Sequence, residues 1–122
     1  MDLNFRWQQP DGLNGLDIID EFGSFTLSTR HIGKWVRQNS ASATTVTVPL
    51  MLGLRPGASV VIEAYGAGTV TIAGVAGIAG PPVLHPRGTY ATSIVSAGQY
   101  APATLFYEGG QVWNVSGDVT VT

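Results

Sequence analysis

Ser40–Gly74 reads SASATTVTVPLMLGLRPGASVVIEAYGAGTVTIAG, and its alternation decides the fold. Thr44, Val46 and Val48 fall on one face of a first run, with Thr45 and Thr47 on the other. Val60, Ile62 and Ala64 share a face in the second, opposite Ser59, Val61, Glu63 and Tyr65. In the third, Val70 and Ile72 alternate with Thr69 and Thr71. A period of two places successive side chains on opposite sides of a pleat, so each run predicts a strand with one buried face. Pro49 ends the first strand because it has no N–H for a ladder, and Pro56-Gly57 turns the chain into the second. Gly66-Ala67-Gly68 predicts a three-residue hairpin loop between the second and third. Two short strands cannot hold themselves together in water, so a second sheet is required to cover them.

Outward from this stretch, more strands are expected at near-regular spacing. Ser24–Arg30 and Lys34–Gln38 precede it, joined through His31-Ile32-Gly33. Thr89–Val95, Ala103–Tyr107, Gln111–Val115 and Val119–Val121 follow, with a tight turn at Glu108-Gly109-Gly110-Gln111 and Trp113 and Val115 facing the core. Val75–Gly80 is too rich in glycine for a helix, and Val83–Pro86 continues as a short extended piece. Eight to ten strands without a helix predict an all-β fold: a compact antiparallel β-sandwich or barrel, jelly-roll-like, with a short N-terminal arm. The expected division is an arm over residues 1–23 and a β-domain over residues 24–122. Five of the eight acidic residues lie in the arm, among turn pairs and the apolar Phe5, Trp7, Leu13, Leu16, Ile18, Ile19 and Phe22. So greasy a segment packs either on its own domain, as a strand and loop, or on a neighbouring subunit or larger assembly.

Composition narrows the classes of function. Charged residues make up only 11% of the 122, so the surface is built from Thr, Ser, Gln, Asn and Gly or is partly covered by a partner. A net charge of −2 argues against nucleic-acid binding, which draws on clustered Lys and Arg. No apolar run has the length of a membrane span and no signal-peptide pattern opens the chain, so no membrane partner is expected. Cysteine is absent, which removes disulfides and thiolate chemistry.

Catalytic and metal constellations are sparse. His31 and His85 are the two histidines and read as turn and surface residues; a triad with a serine and Asp118 is the sharper alternative. Asp17, Asp20 and Glu21 offer oxygens for a hard cation but lack the loop spacing of such sites, so a solvated or partner-facing acidic patch is expected. Glu63 and Glu108, the glutamates of the sheet region, have no spacing that pairs them for glycan hydrolysis. Gly66-Ala67-Gly68 joins strand to strand, which is the wrong context for a phosphate loop. Asn114-Val115-Ser116 spells a glycosylation sequon by coincidence. The expectation is no catalytic residue, no metal and no cofactor. Aromatic side chains leave room for glycan binding by stacking, with Tyr65, Tyr90, Tyr100 and Tyr107 the candidates for exposure and Trp35 and Trp113 assigned to the core.

Three segments together resemble a β-module of tailed-bacteriophage virion proteins: KWVRQNSASATTVTVP, PGASVVIEAYGAGTVTIAG and QYAPATLFYEGGQVWNVSGDV. The match is carried by Gly33-Lys34, Asn39–Pro49, Gly57, Gly66–Thr71, Tyr100, Ala103-Thr104-Leu105, Trp113 and Gly117-Asp118, across about Phe25–Val119. Such modules occur in tail fibres and as stand-alone proteins of the capsid surface. The resemblance implies a virion structural protein made in the host cytoplasm: a capsid decoration (cement) protein, homotrimeric and bound to the major capsid protein. The alternative it implies is a tail-fibre or receptor-binding module for host-surface glycans. With its own Met1 and a short leader, the stand-alone form is expected. On that reading Phe5, Trp7, Leu16, Ile18 and Ile19 contact the capsid, and Val61, Tyr65 and Tyr107 lie at the subunit interface.

Overall fold

A computed structural model describes residues 16–50, 53–74, 83–86 and 91–121. The strands are β1 (Ile18–Glu21), β2 (Phe25–Thr26), β3 (Trp35–Gln38), β4 (Thr44–Val48), β5 (Ser59–Glu63) and β6 (Val70–Gly74). They continue with β7 (Val83–Pro86), β8 (Ser93–Ser96), β9 (Pro102–Gly109), β10 (Val112–Gly117) and β11 (Val119–Val121). Two sheets pack into an all-β sandwich: a six-stranded sheet in the order β1-β3-β5-β9-β10-β7 and a five-stranded sheet in the order β11-β8-β6-β4-β2. The alternation expected in Ser40–Gly74 holds residue by residue. Val46, Val48, Val60, Ile62, Ala64, Val70 and Ile72 are all buried, and Thr44 joins them. Between the sheets they meet Leu27, Val36, Leu84, Ile94, Leu105, Trp113 and Val115.

The pairing is mixed rather than antiparallel, which corrects the expected jelly roll. β1, β3 and β5 run parallel in one sheet, and β2, β4 and β6 run parallel in the other. The chain therefore alternates between layers, β1 to β2, β3 to β4 and β5 to β6, like three turns of a flattened coil. Stacked turns of this kind bury a shared core that no single turn could bury alone. β8 to β11 then close the two sheets with antiparallel pairs, while β7 adds to β10 in parallel.

Gly66-Ala67-Gly68 is consequently not a hairpin loop. It carries the chain from β5 in one sheet to β6 in the other, and it lies directly against the matching passage from β3 to β4. Gly66 N–H donates to the Gln38 carbonyl at 3.0 Å and Gly68 N–H to the Ser40 carbonyl at 2.9 Å. A Cβ on Gly66 would run into the backbone of Ser40, and one on Gly68 into the Ser42 carbonyl. The first passage joins the same stack: Asn39 N–H donates to the Glu21 carbonyl at 2.7 Å, and the Gln38 amide to the Gly23 carbonyl at 2.8 Å. These backbone contacts physically join the NSASA and GAG segments of the sequence.

Two further expectations change here. The strand over Ser24–Arg30 shrinks to Phe25–Thr26, because Ser28 caps a 3₁₀ turn at Thr29–His31. Residues 16–23 form no separate arm: Ile18–Glu21 is the edge strand of the larger sheet, as the own-domain alternative had it. The remainder of the expected arm, residues 1–15, lies outside the described residues, as does Val75–Gly80.

Candidate functional site on the outer face of the larger sheet

In β3 the burial of Val36 and Gln38 turns Trp35 and Arg37 outward, so Trp35 does not belong to the core as expected. Register then lines up rows across the outer face. Ile18, Trp35, Val61 and Thr104 form one row, and Ser59, Phe106 and Asn114 a second beside it. Asp20, Arg37 and Glu63 form a third on the opposite side of the Trp35 row, with Pro102 beyond Glu63. Ile18 and Phe106 are exposed, and Trp35 and Val61 are half-buried, so an apolar band crosses the face. The Trp35 indole N–H donates to Glu63 Oε1 at 3.0 Å, which ties the band to the charged row.

The charged row leads to an aromatic pair at the strand ends. Arg37 donates from Nε to Asp20 Oδ1 at 2.8 Å and from a terminal nitrogen to Oδ2 at 3.2 Å. Its guanidinium carbon lies 4.5 Å from the centre of the Tyr65 ring, within range of a cation–π attraction. Tyr65 meets Tyr100 edge-on, with ring centres 5.7 Å apart and planes at 78°. Hydrogen bonds from Arg37 hold the Asp20 carboxyl below its ordinary pKa, with the guanidinium charge adding to them and desolvation opposing both. A depressed folded pKa contributes stability above the unfolded pKa, and that contribution is lost as pH falls through the folded one. Asp20→Asn is therefore expected to lower the thermal midpoint at pH 7, with the gap to the parent closing below about pH 3–4. A gap that stays constant from pH 7 to pH 2 would contradict this linkage.

A second cluster sits where β1 meets the 3₁₀ turn. His31 lies in the turn, as expected, but is buried there, with Nε2 3.0 Å from Glu21 Oε2 and its ring 4.7 Å from that of Phe25. Arg30 also pairs with Glu21. Ser28 Oγ lies 3.3 Å from His31 Nδ1, so a serine, an imidazole and a carboxylate do come together. The Ser28 backbone N–H, however, donates to Nδ1 at 3.0 Å. That bond occupies the lone pair a general base would use and leaves the Nε2 proton to donate to Glu21. The arrangement is a capping box with histidine as its third residue, a clasp between β1 and the turn. Beside it opens a cavity of about 370 Å³ lined by Leu27, Ser28, Thr29, Pro49, Leu50, Gly53 and Leu54.

The structure sorts the sequence candidates. Ile18 stands in one row with Val61 on the apolar band, Leu16 is exposed just ahead of β1, and Tyr65 stands beyond the charged row; Ile19 is half-buried and alternates to the other face of β1. Tyr107 is not at a surface: it is buried with its ring centre 5.0 Å from that of Trp113, and its hydroxyl accepts the Gln111 backbone N–H at 3.0 Å. Phe5, Trp7 and Tyr90 lie outside the described residues. Asp20 and Glu21 are committed to Arg37, Arg30 and His31, and no group of three or more potential metal ligands occurs among the described residues. Glu108 stands 3.6 Å from His85 Nδ1 rather than near Glu63. Trp35, Arg37 and Phe106 were missed as surface-site residues, although the alternation in KWVRQ already puts Trp35 and Arg37 on one face. Comparison with protein-family models and with curated proteins finds no match for this chain.

Proposed function

We propose that this chain is a bacteriophage virion structural protein, a decoration protein that binds the capsid surface as a homotrimer with the major capsid protein as its other partner. The observation that carries the reading is the apolar band: Ile18, Trp35, Val61 and Phe106 gathered on one sheet face of a protein with few charges. Bands of this kind, bounded by polar residues, mark surfaces that a partner covers. The three phage-like segments add support in a physical way, since NSASA and GAG are the two passages whose backbones pack together. The role is one of attachment by buried area, without bond chemistry, and it places the protein on the outside of the virion after synthesis in the host cytoplasm. Closed rings of identical subunits suit a patch that must be hidden without building filaments. Light scattering on the pure full chain is expected to give three times the 12.8 kDa chain mass; a monomer at micromolar concentration contradicts the proposal.

The receptor-binding alternative has one observation in its favour, the Tyr65–Tyr100 pair at the end of the same face.

A further inference from the structure

Tyr100 holds a backbone conformation that its side chain disfavours. Its φ is 66°, in the left-handed region, where a bulky residue is an outlier. The surroundings enforce this: Tyr100 N–H donates to the Ala64 carbonyl at 2.6 Å, and the Gln99 side chain donates to the Tyr65 carbonyl at 3.3 Å. The ring so placed is not used for packing, since Tyr100 is 59% exposed. Strain that survives to present an exposed aromatic ring points to a task for that ring.

We infer that Tyr100, Tyr65, Arg37 and Asp20 form a binding site for a neutral carbohydrate. The inference rests on this geometry alone and holds whichever part of a virion carries the protein. The two tyrosines meet at 78° and form an open step. One face of Tyr65 is already covered by Arg37, which leaves the exposed Tyr100 ring to receive the C–H face of a sugar. Alongside, the Arg37 guanidinium supplies donors and the Asp20 carboxylate supplies acceptors, held together in a fork. A hydroxyl is both donor and acceptor, so vicinal hydroxyls match such a pair. An anionic ligand would meet Asp20 and a cationic one Arg37, which favours an uncharged polyol. A second copy of the chain is the less suited occupant: the step carries the charged Asp20–Arg37 pair, which a subunit contact would have to strip of water.

The test is a titration of the full-length chain with cellohexaose, maltohexaose and hexa-N-acetylchitohexaose, followed by amide chemical shifts. At least one sugar is expected to move the signals of Arg37, Tyr65 and Gln99–Ala101 in a saturable way. Tyr100→Gly is expected to weaken that binding about tenfold or more. Its thermal midpoint should be unchanged or raised, because glycine takes this φ freely. Tyr100→Phe should keep the affinity within a few-fold. The inference is overturned if none of the three sugars moves these signals, or if Tyr100→Gly binds like the parent. It is equally overturned if the signals move with protein concentration instead of sugar, which would put a second copy on Tyr100.

Discussion

Gly68→Ala is expected to destabilise the fold by about 3 kcal/mol or more, enough to lower the thermal midpoint by on the order of 10 °C. The added methyl would collide with the Ser42 carbonyl, a backbone group that cannot rotate aside as a side chain could. Relief requires the β5-to-β6 passage to lift from the β3-to-β4 passage, which breaks the Gly68–Ser40 hydrogen bond and disturbs the Thr44–Thr69 bond next to it. Both sheets are anchored at that point, so the damage reaches β4 and β6 in one layer and β3 and β5 in the other. Gly98→Ala is the control. Nothing lies within 4 Å of a Cβ at Gly98, and its change is expected to stay within about 0.5 kcal/mol. Urea denaturation of the two variants checks the claim; equal midpoints would mean that the two passages are not in contact.

The second large effect is expected at Trp113. It is the largest fully buried side chain among the described residues, on β10 between β9 and β7, with Tyr107 tilted against it. Truncation to alanine removes its contacts and leaves a cavity that surrounding strands can fill only in part, so Trp113→Ala should cost about 3–5 kcal/mol. A domain has only about 5–15 kcal/mol in total, so a third or more of its stability goes with that one ring. Among the described residues the indole nitrogen has no hydrogen-bond partner, so the expected cost is one of packing. Trp113→Phe, which keeps most of the volume and forfeits no hydrogen bond, should cost clearly less than the alanine change. Chemical denaturation of both variants separates the two causes: equal losses would point to a polar role for the indole.

Much of the core was legible because burial imposes a period of two on each strand. Thr44–Val48, Ser59–Glu63 and Val70–Gly74 carried that signature intact, and Trp113 and Val115 read correctly as well. Strand direction was not legible, since a half-buried strand alternates in the same way beside a parallel or an antiparallel neighbour. The short GAG segment read as a hairpin for a local reason, two glycines between two strands. What makes it a passage between layers is the backbone of Ser40–Ser42, more than twenty residues away in sequence. Tyr107 misled for a different reason. Its parity with Ala103 and Leu105 already put it inside, but the phenol suggested a surface until Gln111 supplied the polar contact. His31 is buried for a similar reason, with Ser28 and Glu21 engaging both ring nitrogens. On the outer face, the grouping of Ile18 with Val61 depends on β3 lying between them, a register that no local pattern contains.

The apolar band as a subunit contact is the claim on which the functional account turns, and the mass of Val61→Glu in solution tests it most directly. Val61 points away from the core, so the variant should keep the parent's far-ultraviolet circular dichroism while a buried carboxylate at the contact opposes association. The account requires three chains per particle for the parent and one for the variant, measured by light scattering on folded protein. Equal masses for the two, with both folded, would contradict it.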